Sequence, residues 1–180
     1  MPDDGAPVPE HLAAFVRSLA PVESALDLGC GDGRLAAELR ANALTLADVS
    51  AVALGRAARR VPEAAHVDLD PDAPLPFADS SFDLVLCAET LEHVRDVQLL
   101  LSEARRVLRP SGTLAVTTPA HGRATGLAIA AGGFEGRFDP LSPHLRFLTR
   151  RSLQGLLDGM GFEVRSLRRR RGTLLARATR

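Results

Sequence analysis

The 180-residue sequence predicts an α/β fold, a mostly parallel seven-stranded sheet that is doubly wound, with helices on both faces and a C-terminal antiparallel hairpin. Three observations carry this. Short apolar runs alternate with segments of helical periodicity through most of the chain, the pattern of a parallel sheet covered by helices. A glycine-rich turn, Gly29-Cys-Gly-Asp-Gly33, follows the first apolar run. Two strand-like segments split by a turn at Gly172 close the sequence.

The elements follow in order. A leading helix is expected over about 9–20, because Leu12, Phe15, Val16 and Leu19 recur at helical spacing behind Pro9. Ser24–Leu28 reads as the first buried strand, and the glycine turn delivers it to a helix carrying Leu35, Ala36 and Leu39. Ala43–Asp48 is the second strand, with Ser50 placed to cap a helix over about 51–60. Ala64–Asp68 is a weaker third strand. Phe82–Ala88 is a strong fourth, with no polar interruption after Asp83. A helix over about 96–108 runs to Arg109-Pro110, where proline stops it. Gly112–Thr118 is the fifth strand. Residues 120–148 read as a long irregular segment that covers a site, since a plain connection is much shorter. Thr149 then caps a helix through Leu156 and Leu157, Gly159 to Gly161 ends it, and the hairpin follows.

Composition narrows the function classes. At this length one substantial core is expected, as a single domain over 1–180. Basic and acidic residues balance at 22 each, which supplies no field to draw the chain onto nucleic acid or an anionic membrane. No apolar run reaches the roughly 20 residues of a membrane span, and Met1–Pro9 lacks the pattern of a secretory signal, so a cytoplasmic location is expected. Cys30 and Cys87, far apart, suggest neither a disulfide framework nor a metal cluster, and no metal site is expected. Arg168 to Arg171 is read as a solvated run that blunts a sheet edge, because Trp and Tyr, the usual stacking platforms for single strands, are absent.

The chemistry sits at three strand ends. The turn reads Gly-x-Gly-x-Gly with Asp27 two positions before it, which does not match the Gly-x-Gly-x-x-Gly that seats a pyrophosphate. A carboxylate there repels phosphates and attracts an amino group, which argues against a nicotinamide-dependent oxidoreductase. Asp48, about twenty residues on, is placed to accept hydrogen bonds from ribose hydroxyls. Asp68 ends the third strand, where it can accept from an adenine amino group, with Asp70 as a competitor in another register. Three carboxylates at successive strand ends converge on one crevice and suit a nucleoside with a cationic tail.

The stretches Ala25–Arg34, Leu46–Ser50, Leu75–Val85, Leu91-Glu-His-Val94 and Ala104–Leu114 together resemble the ordered motifs of the S-adenosylmethionine (SAM)-dependent methyltransferases of the ubiquinone and menaquinone biosynthesis type, closely over about 22–118. The resemblance implies a Rossmann-like class I fold and SAM as cofactor. It implies Asp27, Gly29 and Gly31 along the methionine and ribose, Asp48 on the ribose hydroxyls, Asp68 and the Leu69 backbone at the adenine, and Ala88 and Glu89 beside the methionine, with Cys30 and Val49 completing the set. The family usually has two glycines after the proline, where this chain has Ser111 before Gly112.

The expected reaction is methyl transfer to a small-molecule acceptor, oxygen ahead of nitrogen or carbon. A hydroxyl acceptor benefits from a general base, for which His144, His121 and His93 are the candidates. The Asn/Asp-Pro-Pro-aromatic motif of nucleobase-amine methyltransferases is missing after the fourth strand, which reads Ala88-Glu-Thr-Leu-Glu92. The competing readings are a non-catalytic SAM-binding module and, further off, an RNA methyltransferase. A homodimer is allowed by this reading.

Overall fold

The computed structural model describes residues 7–132 and 143–180. Seven strands form one sheet in the order β3-β2-β1-β4-β5-β7-β6. They are β1 (Val22–Leu28), β2 (Ala41–Asp48), β3 (Ala65–Asp68), β4 (Phe82–Ala88), β5 (Leu108–Pro119), β6 (Glu163–Arg170) and β7 (Thr173–Thr179). The first five are mutually parallel, and β7 lies antiparallel between β5 and β6. The hairpin therefore inserts its second strand into the sheet and leaves β6 as the edge. Its turn is built on Arg171 and Gly172, both at positive φ, the geometry that matches strand twist.

The helices are α1 (Glu10–Arg17), α2 (Ala51–Arg60), α3 (Val97–Val107), α4 (Arg123–Gly132) and α5 (Arg150–Gly159). Alternation along the strands divides the core into two layers. Ala25, Leu84, Leu86 and Ala115 face α1 through Leu12, Phe15 and Val16, while Leu46 on the same side meets Leu54 and Ala57 of α2. Leu26, Leu28, Val85 and Cys87 face the opposite way, onto Leu101 and Ala104 of α3 and Leu153 and Leu157 of α5. Caps follow the expected residues: Ser50 Oγ accepts the Ala53 N–H, Asp96 Oδ1 accepts the Leu99 N–H, and Thr149 forms a capping box with Ser152.

Three departures from expectation have physical causes. The helix expected after the glycine turn is one 3-10 turn, Ala36–Glu38. β2 begins at Ala41, paired with Val22, and the seven residues between Gly33 and β2 cannot hold a longer helix. β5 begins at Leu108, directly after α3, four residues earlier than expected, and passes through a register shift opposite Phe82 and Leu84. At that irregularity Ser111 takes φ +64°. The expected irregular segment 120–148 contains α4 in its first half, and 133–142 of that expectation lies outside the described residues.

No helix among the described residues is long and apolar enough to cross a membrane.

Candidate active site

The strand order reverses between β1 and β4, so the crevice of the sheet opens over the C-terminal ends of β1, β2 and β4. Two adjoining cavities occupy it, of about 420 and 520 Å³, and Gly29, Gly31 and Glu89 line both.

The glycine turn is closely packed at Gly29 and Gly33 and open at Gly31, where a Cβ would meet nothing within 4 Å. Gly29, Gly31 and Gly33 have φ of +77°, +54° and +77°, a region that side-chain-bearing residues rarely adopt. A Cβ on Gly29 would stand 2.5 Å from Thr90 Cγ2 and 2.7 Å from its hydroxyl. A Cβ on Gly33 would press on the Ala57 backbone at 3.2 Å, so that glycine lets α2 close onto the sheet.

Around this turn the carboxylates have different environments. Asp27 points to the α1 and α2 side of β1, borders the second cavity with Val8, Pro9 and Leu12, and is 1% exposed. Neither of its side-chain oxygens has a hydrogen-bond partner. Burial pushes its pKa up to about 7, with the nearby Asp48 charge adding to the rise. Asp48 is bound on both oxygens: Oδ2 accepts the Gly31 N–H at 2.8 Å and Oδ1 accepts the Ser50 N–H at 2.9 Å. Asp48 and Val49 line the first cavity with Leu69.

Asp68 pairs with Asp48 across β2 and β3 but lies outside the residues lining either cavity; the wall is formed by Leu69 and Asp70. The Leu69 N–H continues the β2/β3 ladder by donating to the Asp48 carbonyl at 2.9 Å, and Asp70, two residues past the strand end, lines the cavity.

Glu89 follows β4 at φ +52°. Its N–H donates to the Thr117 carbonyl and its Oε1 accepts the Thr117 hydroxyl at 2.8 Å, which fixes it at the junction of the cavities. Burial raises its pKa to about 7, although the Thr117 hydrogen bond opposes the rise. Ala88 and Cys30 line the second cavity. Burial pushes the Cys30 thiol well above its ordinary pKa, leaving it an inert packing group.

The three candidate histidines separate. His93 lines the first cavity, and its Nδ1 lies 3.1 Å from the Pro143 carbonyl. His144 packs against it with ring centroids 4.7 Å apart. His121 has its ring edge-on to Phe147, and its backbone N–H donates to the Leu148 carbonyl at 2.8 Å.

Sequence reasoning left two residues without a role. Thr90 fills the space over Gly29 and lines the first cavity. Glu92, 1% exposed, accepts the Thr118 hydroxyl at 3.0 Å through Oε2. The Leu-Glu-His-Val stretch held the signal for Glu92, while Thr90 carries none.

Residues 26–116 match the family model described as the methyltransferase domain, and the chain belongs to that family. A relative from Mycolicibacterium smegmatis, named a probable S-adenosylmethionine-dependent methyltransferase, is 37% identical over 77% of this chain and 51% of its own length. A ubiquinone biosynthesis O-methyltransferase from Azorhizobium caulinodans is 30% identical over 87% of this chain and 66% of its own. The crystal structure of a SAM-dependent methyltransferase from Methanosarcina mazei has the same fold, with a TM-score of 0.70 and 21% identity over 97% of this chain and 99% of that one. The chain spans between about a third and two thirds of the length of the curated relatives it matches. The family and the relatives named as S-adenosylmethionine-dependent imply S-adenosylmethionine as the cofactor. The residues present suit it: Asp27, a buried carboxylate without a hydrogen-bond partner, borders the second cavity, and Gly31, where a Cβ would meet nothing within 4 Å, lines both cavities.

Proposed function

We propose that this chain transfers the methyl group of S-adenosylmethionine to a hydroxyl of a small organic acceptor, as a methyltransferase of the ubiquinone biosynthesis type. The observation that carries the reading is Asp27, a buried carboxylate with no internal partner at the edge of the crevice. Burying an unpaired carboxylate is costly, and a cationic ligand group beside it offsets that cost.

In this reading Asp27 attracts the amino group of the methionine portion, with Gly29, Cys30 and Gly31 along it. Asp48 accepts from the ribose hydroxyls while its bond to Gly31 holds it in place. Val49 and Leu69 cover the adenine, and Asp70, which lines the cavity, is better placed than Asp68 to receive its amino group. Ala88 and Glu89 flank the methionine where the two cavities meet.

When bound, the cofactor supplies a sulfonium-activated methyl group, so the protein's task is to orient the acceptor and exclude water. Of the three histidines, His93 lines the first cavity and stands on the acceptor side of it, with His144 and His121 as its supports there. The relative named as an O-methyltransferase favours oxygen as the methylated atom.

The test is incubation of the purified protein with methyl-labelled S-adenosylmethionine and a panel of small phenols, carboxylic acids and amines. Label in a phenol or carboxylic acid is expected. Label only in amines, or in none of the panel despite tight cofactor binding, overturns the acceptor assignment.

A further inference from the structure

We infer that Glu92, His93 and His144 form a binding site for a divalent transition-metal ion of the Zn²⁺ class, at the edge of the first cavity. One ligand atom from each of the three lies within 4.8 Å of the other two. Two imidazoles and a carboxylate form a donor set that holds Zn²⁺ with an open position for an oxygen ligand.

Three further features support a site rather than a chance cluster. Glu92 is 1% exposed, and its Oε1 is buried without a hydrogen-bond partner, while Oε2 is held by Thr118. An ionised carboxylate oxygen in that state is costly unless a cation meets it. His93 Nδ1 sits 3.1 Å from the Pro143 carbonyl. As a donor to that oxygen it fixes the tautomer and leaves the lone pair on Nε2, the outer-shell arrangement of metal-bound histidines.

The third feature is that the backbone brings the two histidines together. The Leu145 and Arg146 N–H groups both donate to the Glu92 carbonyl, at 2.7 and 3.3 Å. The Arg146 guanidinium donates to the carbonyls of Val94 and Arg95. The segment carrying His144 is thus tied along the segment carrying Glu92 and His93. Tetrahedral ligands on zinc stand about 3.4 Å apart, so closing the cluster takes a shift of roughly an ångström. Side-chain rotation of the half-buried His144 can supply it while His93 keeps its bond to Pro143.

The proposal does not rest on the methyl-transfer reading, and its test uses no S-adenosylmethionine. The chain, freed of metal by chelation, is titrated with CoCl₂ while the visible d–d absorption is followed, and bound Co²⁺ is then competed with ZnCl₂. One Co²⁺ per chain, displaced by Zn²⁺, is expected. The double variant His93→Ala/His144→Ala is expected to bind at least about tenfold more weakly, since even outer-shell partners are worth about 10–100-fold. Circular dichroism checks that this variant is folded, and should it unfold, His144→Gln alone is titrated with the same expectation. Absence of stoichiometric Co²⁺ uptake by the wild-type chain, or equal uptake by the folded variants, overturns the site.

Discussion

Asp48 Oδ2 accepts the Gly31 N–H at 2.8 Å, so the tip of β2 and the glycine turn after β1 form one hydrogen-bonded unit. The residue assigned to the ribose is thereby held in place before any ligand arrives, which reduces the ordering cost of binding.

Asp48→Ala removes this bond, the bond to Ser50, and the proposed acceptor for two ribose hydroxyls. Hydrogen bonds to a charged group are worth about 1.5–3 kcal/mol each, so S-adenosylmethionine affinity is expected to fall at least about 100-fold. Calorimetry on the folded variant checks this.

Asp27 gives a pH signature. Its folded pKa, about 7, lies above the ordinary carboxylate value of 3.8, so the folded state holds this proton more tightly than the unfolded chain. The apo protein loses stability as pH rises from about 4 to 7, and the penalty is complete above that range. Asp27→Asn is therefore expected to be more stable than wild type at pH 8, by up to about 4 kcal/mol for a shift of this size, with the difference shrinking toward pH 4. Cofactor affinity behaves oppositely, rising in the wild type from pH 5 to 8 and rising less steeply, from a weaker level, in the variant, where Glu89 still titrates. Thermal melts and calorimetry across this range measure both.

Gly29→Ala combines a φ of +77° with a Cβ placed 2.5 Å from Thr90 Cγ2. The strain and the clash together are expected to cost about 2 kcal/mol or more of stability. Adding Thr90→Ala removes the clash but not the backbone strain, so the double variant should recover only part of the loss in a denaturant titration.

Ser111 is exposed and takes φ +64°. Ser111→Gly relieves that conformation, and a gain of up to about 1 kcal/mol in unfolding free energy is expected, without change in cofactor affinity.

How much of this was legible in the sequence varied with the kind of signal. β4 was readable over its span because Leu84 to Ala88, behind Phe82 and Asp83, is an unbroken apolar run that both faces of the sheet bury. The cap at Thr149 and the turn at Gly172 were readable because each needs a particular residue chemistry. The segment after Gly33 misled because Leu35, Ala36 and Leu39 have helical spacing, while pairing of Val22 with Ala41 claims the chain for β2. Asp27 and Asp48 were evident as charges at the tips of apolar strands. The strand end favoured Asp68 over Asp70, whereas the residues lining the cavity are Leu69 and Asp70, just past that end, which strand patterning does not resolve. The pairing of His93 with His144 depends on backbone bonds across some fifty residues of chain, which local pattern does not encode.

The central claim is that paired carboxylates at the tips of β1 and β2 hold an adenosyl sulfonium. Isothermal titration of the wild-type chain with S-adenosylmethionine at pH 8, beside NAD as control, tests it most directly. One site per chain with a Kd in the micromolar range, weakened in Asp27→Asn and Asp48→Ala, and no saturable heat from NAD, is the predicted result. Failure of the folded wild-type chain to bind S-adenosylmethionine, or equally tight binding of NAD, would contradict the account.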